Sequence, residues 1–177
     1  MVGGAQVLRD QWQASCRRLA QIVAGLTDEE YFWEPAAACW TVRRDPVSGS
    51  WSMDYPHAHS DTPPMTTIAW RLLHITHGNH IYWEHAFGPG RRNFTDLAIM
   101  GSAETSCADL GASQRPLTET LASIDHASLD SDVPTQFGEA WPARRVFDVL
   151  LVEQVHHGAE ISLLRDLQRG RAKLRDE

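Results

Sequence analysis

The residues of this chain best suited to chemistry lie in "VEQVHHGAEISLL", residues 152 to 164. Glu153 and His157 are four apart, so on a helix both side chains point the same way and can grip one ion. Glu160 follows one turn later. On a wheel of about 100° per residue, these three fall in the middle of an apolar stripe marked by Val146, Leu150, Leu164 and Leu167. A carboxylate facing a core needs a partner. A cation shared with another helix is one such partner; an ion pair with Arg71 or Arg145 is another. Two ligands from one helix do not complete a site, and "TTIAWRLLHITHGNHIYWEHAFG" offers His74, His77, His80 and His85 for the third. Imidazole and carboxylate ligands suit zinc, nickel, iron or manganese, and three protein ligands leave positions open for water or substrate. The remaining histidines read differently. His57 and His59 form an HxH in a loop and are expected at the surface, and His126 is expected at a helix end, where a cation favours the dipole.

Four helical segments must position these groups. Residues 4 to 25 carry Leu8, Trp12, Cys16, Leu19 and Val23 at steps of three and four, with Gly25 as a C-cap. Residues 66 to 87 follow Pro63 and Pro64, with Thr66 or Thr67 as N-cap, and stop at "FGPG". A third helix is expected from near Pro116 to His126, because Pro116 would interrupt any extension upstream. The last runs from Pro142 to about Arg169. No segment alternates with period two between hairpin signals, so strands are not required. The expected fold is all-α, an antiparallel four-helix bundle. The long connection of residues 26 to 65 holds Trp33, Trp40, Trp51 and Tyr55. So many rings need a surface to cover, which predicts a folded, aromatic-rich loop packed over one end of the bundle.

The bulk properties bound the rest. A chain of 177 residues with 42% hydrophobic and 22% charged content makes one globular domain, residues 1 to 177, the expectation. A net charge of −7 gives no electrostatic reason to approach nucleic acid or an anionic membrane. There is no apolar leader and no run long enough to span a bilayer, so a cytoplasmic protein is expected. Cys16, Cys39 and Cys107 are odd in number and share no CxxC spacing, which indicates neither a disulfide framework nor a cysteine zinc cage. Cys16, between Trp12 and Leu19, reads as a small core residue. Cys39, beside Trp40 in a loop, is the one thiol whose setting leaves a chemical role open.

The stretches "TTIAWRLLHITHG" and "VEQVHHGAEISLLRDL" resemble the two signature segments of the DinB-like superfamily of metal-binding four-helix bundles, which includes the YfiT-like thiol transferases. The resemblance covers most of the chain. It implies one divalent metal with His74, Glu153 and His157 as ligands. Glu153 stands where the family commonly has histidine, and this favours a harder ion. His77 and His156 are the alternatives if the register differs. Glu160, in a position the family fills with a glutamine-like residue, becomes either a partner to a ligand or the general base. The implied activity is metal-dependent transfer of a low-molecular-weight thiol, of the mycothiol or bacillithiol type, to a small electrophile, or its hydrolysis, in detoxification or stress response. Trp33, Trp40 and Trp51 are expected to roof the site, and a homodimer is compatible with a tryptophan-rich surface. The competing expectation is a non-catalytic bundle that binds a small ligand or a partner, its polar stripe a buried ion-pair network.

Overall fold

The computed structural model describes residues 3–55 and 64–173. Four long helices form the body: α1 (Gly4–Val23), α3 (Ile68–Ala86), α4 (Ala103–Ser123) and α6 (Ala143–Lys173). Two single-turn helices, α2 (Asp28–Tyr31) and α5 (His126–Leu129), and a 3₁₀ turn at Phe94–Asp96 lie in the connections. Packing runs round the bundle as α1, α6, α3, α4 and back to α1.

Local chemistry sets most boundaries. On α1 the buried residues Leu8, Trp12, Ser15, Leu19 and Val23 keep steps of three and four, and the helix ends where Gly25 takes φ +65°. Thr67 caps α3, its hydroxyl accepting from the Trp70 N–H at 3.3 Å. A capping box between Thr27 and Glu30 starts α2.

Two expectations about elements are corrected. The third long helix starts at Ala103, capped by Ser102, and runs straight through Pro116. The hydrogen bond that proline removes would have used the carbonyl of Ala112, an exposed residue. His126 accordingly begins α5 instead of ending the helix before it. Strands are also present, as two antiparallel hairpins of three residues a side. β1 (Val42–Arg44) pairs with β2 (Trp51–Met53), and β3 (Asp132–Pro134) pairs with β4 (Ala140–Pro142), which leads directly into α6. Such short strands are below the length at which alternation can be read.

The connection between α1 and α3 is folded, as its aromatic content suggests. Trp33 and Trp51 pack against the core. Trp51 stacks on Phe32 with centroids 5.6 Å apart and lies so close to Gly101 that a Cβ there would fall 2.2 Å from the indole.

The interior has two apolar clusters. One gathers Leu19, Leu72, Leu73, Ile75, Leu110 and Ile161; the other gathers Leu8, Trp12, Leu117, Phe147 and Leu150. On each long helix a polar residue falls between the two in sequence: Ser15, Asn79, Ser113 with Gln114, and Gln154, all buried. They bond to one another. Gln154 accepts from the Gln114 amide and donates to the Ser15 hydroxyl at 3.2 Å, and Asn79 donates to Ser113 at 3.1 Å. The core is thus divided by a polar layer at the level of Glu153.

Candidate metal centre

His74, Glu153 and His157 meet between α3 and α6. The Glu153 carboxylate oxygen lies 3.1 Å from Nε2 of His74 and 3.1 Å from Nε2 of His157, and the three ligand atoms lie within 4.8 Å of one another. Metal–ligand bonds of 2.0–2.2 Å in a tetrahedron put neighbouring ligand atoms about 3.4 Å apart. Two edges of this triangle are close to that value and all three lie within 4.8 Å, so the donor set suits a divalent cation in its chemistry and is near enough to close round one. The two imidazoles hold the Glu153 carboxyl well below the ordinary glutamate range, the hydrogen bond from His157 first and that from His74 second, against the upward pull of burial.

Each ligand is aimed by a neighbour. The other ring nitrogen of His157, Nδ1, lies 2.7 Å from Glu160 and 3.0 Å from the Arg71 guanidinium; with a cation bound, Nδ1–H donation to Glu160 would leave the Nε2 lone pair for the metal in place of the hydrogen bond it gives Glu153. Glu160 is itself paired with Arg71, which stands one turn before His74 on α3. The His74 ring stacks on Trp70 with centroids 4.9 Å apart and planes 10° apart. Trp70 is anchored in turn, its indole N–H donating to the Asp54 carbonyl at 2.7 Å.

The other histidines are engaged elsewhere. His77 is buried, with Nε2 at 3.2 Å from the Ala98 carbonyl; burial lowers its pKa below the usual imidazole value, so the neutral ring donates. His80 pairs with Asp109 at 2.9 Å, and His85 lies 2.9 Å from the Arg92 carbonyl. His156 is exposed and contacts Glu160 at 3.3 Å. It forms a second donor group with His157 and Glu160, but that group draws on one helix alone and competes for the His157 nitrogen already given to Glu160. His57 and His59 lie outside the described residues. Of the two arginines able to pair with a carboxylate of the stripe, Arg71 takes Glu160, while Arg145 lies over the Trp141 ring at 4.2 Å. The stripe itself is corrected at one end, because Leu167 is exposed.

An apolar cavity of about 710 Å³ opens beside the triad, with His74 and Glu153 in its wall and Ile75, Leu150, Met53 and Phe137 among its apolar lining. This is within the usual size of small-molecule sites. The expected tryptophan roof is corrected here: Trp33, Trp40 and Trp51 do not line this cavity, and Tyr55, Met53 and Ser52 of the same connection do. Trp40 reaches the site through Trp70, 5.8 Å away between centroids, and through Tyr55 of the cavity wall, 6.2 Å away. A smaller cavity of about 250 Å³, between α1 and α6 at Arg18 and Arg165, contains none of the candidate ligands.

The cysteines take no part. Cys16 is half-buried against Gln154, and burial pushes its thiol up to about 11, which makes it a poor nucleophile. Cys39 is buried, with Sγ 3.0 Å from the Ala36 carbonyl.

Trp70 and Arg71 have roles that spacing alone does not reveal. Their adjacency to His74 is visible in "AWRLLH", but only the packing of α3 on α6 shows that one stacks and the other pairs. No helix is long and apolar enough among the described residues to cross a membrane. A sequence model of the DinB superfamily matches residues 11–161, and no curated protein matches the chain.

Proposed function

Since the chain belongs to the DinB superfamily, whose members often bind metal, we propose that it is a divalent-metal-dependent enzyme with His74, Glu153 and His157 as ligands. The reaction is transfer of a low-molecular-weight thiol to an apolar electrophile, or hydrolysis of that electrophile, in detoxification or stress response. The observation that carries this reading is the convergence of three donors from two helices, two of them, His74 and Glu153, in the wall of an apolar cavity.

A bound divalent cation supplies Lewis acidity, lowering the pKa of a coordinated thiol or water so that a nucleophile exists near neutral pH. The chain's own residues do the rest. Glu153 contributes a full negative charge to the donor set and so favours zinc, nickel, iron or manganese over softer ions. Glu160 is placed to take the Nδ1 proton of His157, and Arg71 holds Glu160, which would favour the tautomer that leaves Nε2 free for the cation. These contacts favour the role of partner to a ligand for Glu160 over that of general base. The apolar walls strip water from the electrophile and strengthen electrostatic interactions at the site. Operation in a reducing compartment such as the cytoplasm is supported by Cys16, Cys39 and Cys107, all present as free thiols.

Elemental analysis of the purified protein tests the proposal, with about one metal per chain expected and its loss in His157→Ala. A metal-free native protein that folds normally would instead identify the triad as an ion-pair network in a non-catalytic bundle. Given metal, a comparison of mycothiol, bacillithiol and water against one panel of electrophiles separates transferase from hydrolase.

A further inference from the structure

Two features of the cavity beside the triad have no part in holding a metal. The first is Gly78, which lies between His74 and Tyr82 on one face of α3, a turn from each, in the cavity wall. Glycine in a helix interior is unfavourable relative to alanine, so its presence calls for a packing reason. Among the described residues none exists: a Cβ at this position meets only Cδ2 of Leu150, at the ordinary contact distance of 4.0 Å. What the missing side chain does provide is a flat strip of backbone along the cavity wall.

The second feature is Gln136, at the tip of the β3–β4 hairpin and also in the cavity wall. Its amide oxygen and nitrogen are both buried, and neither has a hydrogen-bond partner among the described residues. The Tyr82 hydroxyl feels the amide, which offsets part of the upward pull of burial on its pKa, but the two groups do not close a hydrogen bond. An unmatched buried amide is costly, and a side chain at a hairpin tip has water close by. Next to it, Phe137 packs edge-on against Tyr82 with centroids 6.1 Å apart, so aromatic rings flank the unsatisfied donor and acceptor at this end of the cavity.

We infer that the substrate lies with a flat apolar body along Gly78 and with its non-reacting end, a neutral primary carboxamide or lactam, matched to the amide of Gln136. A side-chain amide presents one donor and one acceptor side by side, and its complement presents the same pair reversed. A primary carboxamide or lactam does this. An extended trans peptide unit, whose donor and acceptor point in opposite directions, does not. The inference rests on the reading that the molecule transformed at the triad occupies this cavity; the triad itself does not recognise the amide.

The test is titration calorimetry of the purified protein with 4-phenylbutanamide and with the matching methyl ketone, 5-phenylpentan-2-one. The native protein is expected to bind the amide about tenfold more tightly or better, the discrimination expected when a buried polar pair is left unmatched. Gln136→Leu brings the two probes to near-equal affinity. Gly78→Leu weakens both by about tenfold or more, as filling a ligand-sized strip should. Gly78→Ala, for which there is room, weakens them less and raises the melting temperature. Metal content stays unchanged in all three variants. Equal binding of the two probes by the native protein, or no binding of the amide, overturns the inference whatever the metal content. A native protein that prefers the amide but carries no metal sustains the pairing of an amide ligand with Gln136 and overturns the metal reading, and with it the status of that ligand as a substrate.

Discussion

At the scale of single residues, the proton on His157 decides whether its Nε2 is free for a cation. Glu160 lies 2.7 Å from Nδ1 and is held there by Arg71, so Glu160→Gln keeps the shape but weakens the pull on that proton. The variant is expected to bind metal with affinity lowered about 10–100-fold, measured by competition with a chelator, while saturating metal still fills the site. An unchanged affinity would return Glu160 to the role of general base, and a rate defect at full metal loading would then be its signature. Glu153 and His157 are legible in their spacing, whereas His74 is singled out among the four histidines of its helix only by the resemblance to a known signature; the structure brings the three together. Trp70 and Gln136 are not legible in the sequence. A stacked ring and an orphaned amide are defined by what lies across from them, and that partner is far away in the chain.

At the scale of elements, Glu30 ties α2 to the far half of α6. Its carboxylate accepts from Arg165 at 2.9 Å and from Arg169 at 2.6 Å, and from the Thr27 N–H at 3.2 Å. Burial raises the Glu30 pKa, but the bonds from Arg165, Thr27 and Arg169 outweigh it and leave the carboxyl below the ordinary value of 4.5. A lowered folded-state pKa means stability that is present above the unfolded value and is lost as pH falls through the folded one. Glu30→Gln is therefore expected to cost about 3 kcal/mol near neutrality, since Arg165 is left buried without its charge partner. The gap between native and variant in urea titrations should narrow steadily below pH 4.5; a gap independent of pH would mean that packing, not charge, holds α2. The four long helices are legible from their three-and-four periodicity and caps. The path of α4 through Pro116 is not, because whether a proline breaks a helix depends on whether the orphaned carbonyl faces water. The hairpins are hidden by their brevity.

At the scale of the whole molecule, α6 leaves Val152, Val155, Leu163 and Leu167 exposed, at helical spacings that put them along its outer side. The tryptophan-rich surface expected from the sequence is corrected, because no tryptophan among the described residues is exposed; we propose instead that the outer side of α6 is the contact of a homodimer. Sedimentation of the native protein is expected to give a dimer that Val155→Glu with Leu163→Glu converts to a monomer without loss of metal. A native monomer at high concentration would remove α6 from consideration as a contact. The layer of Ser15, Asn79, Ser113, Gln114 and Gln154 carries a further consequence. A bundle with an equator has two hemispheres, and each can breathe without the other. Amide protons on the two sides should then exchange with deuterium at separate rates, and a metal added to His74, Glu153 and His157, at the latitude where the halves meet, should slow both at once if the proposed site holds it.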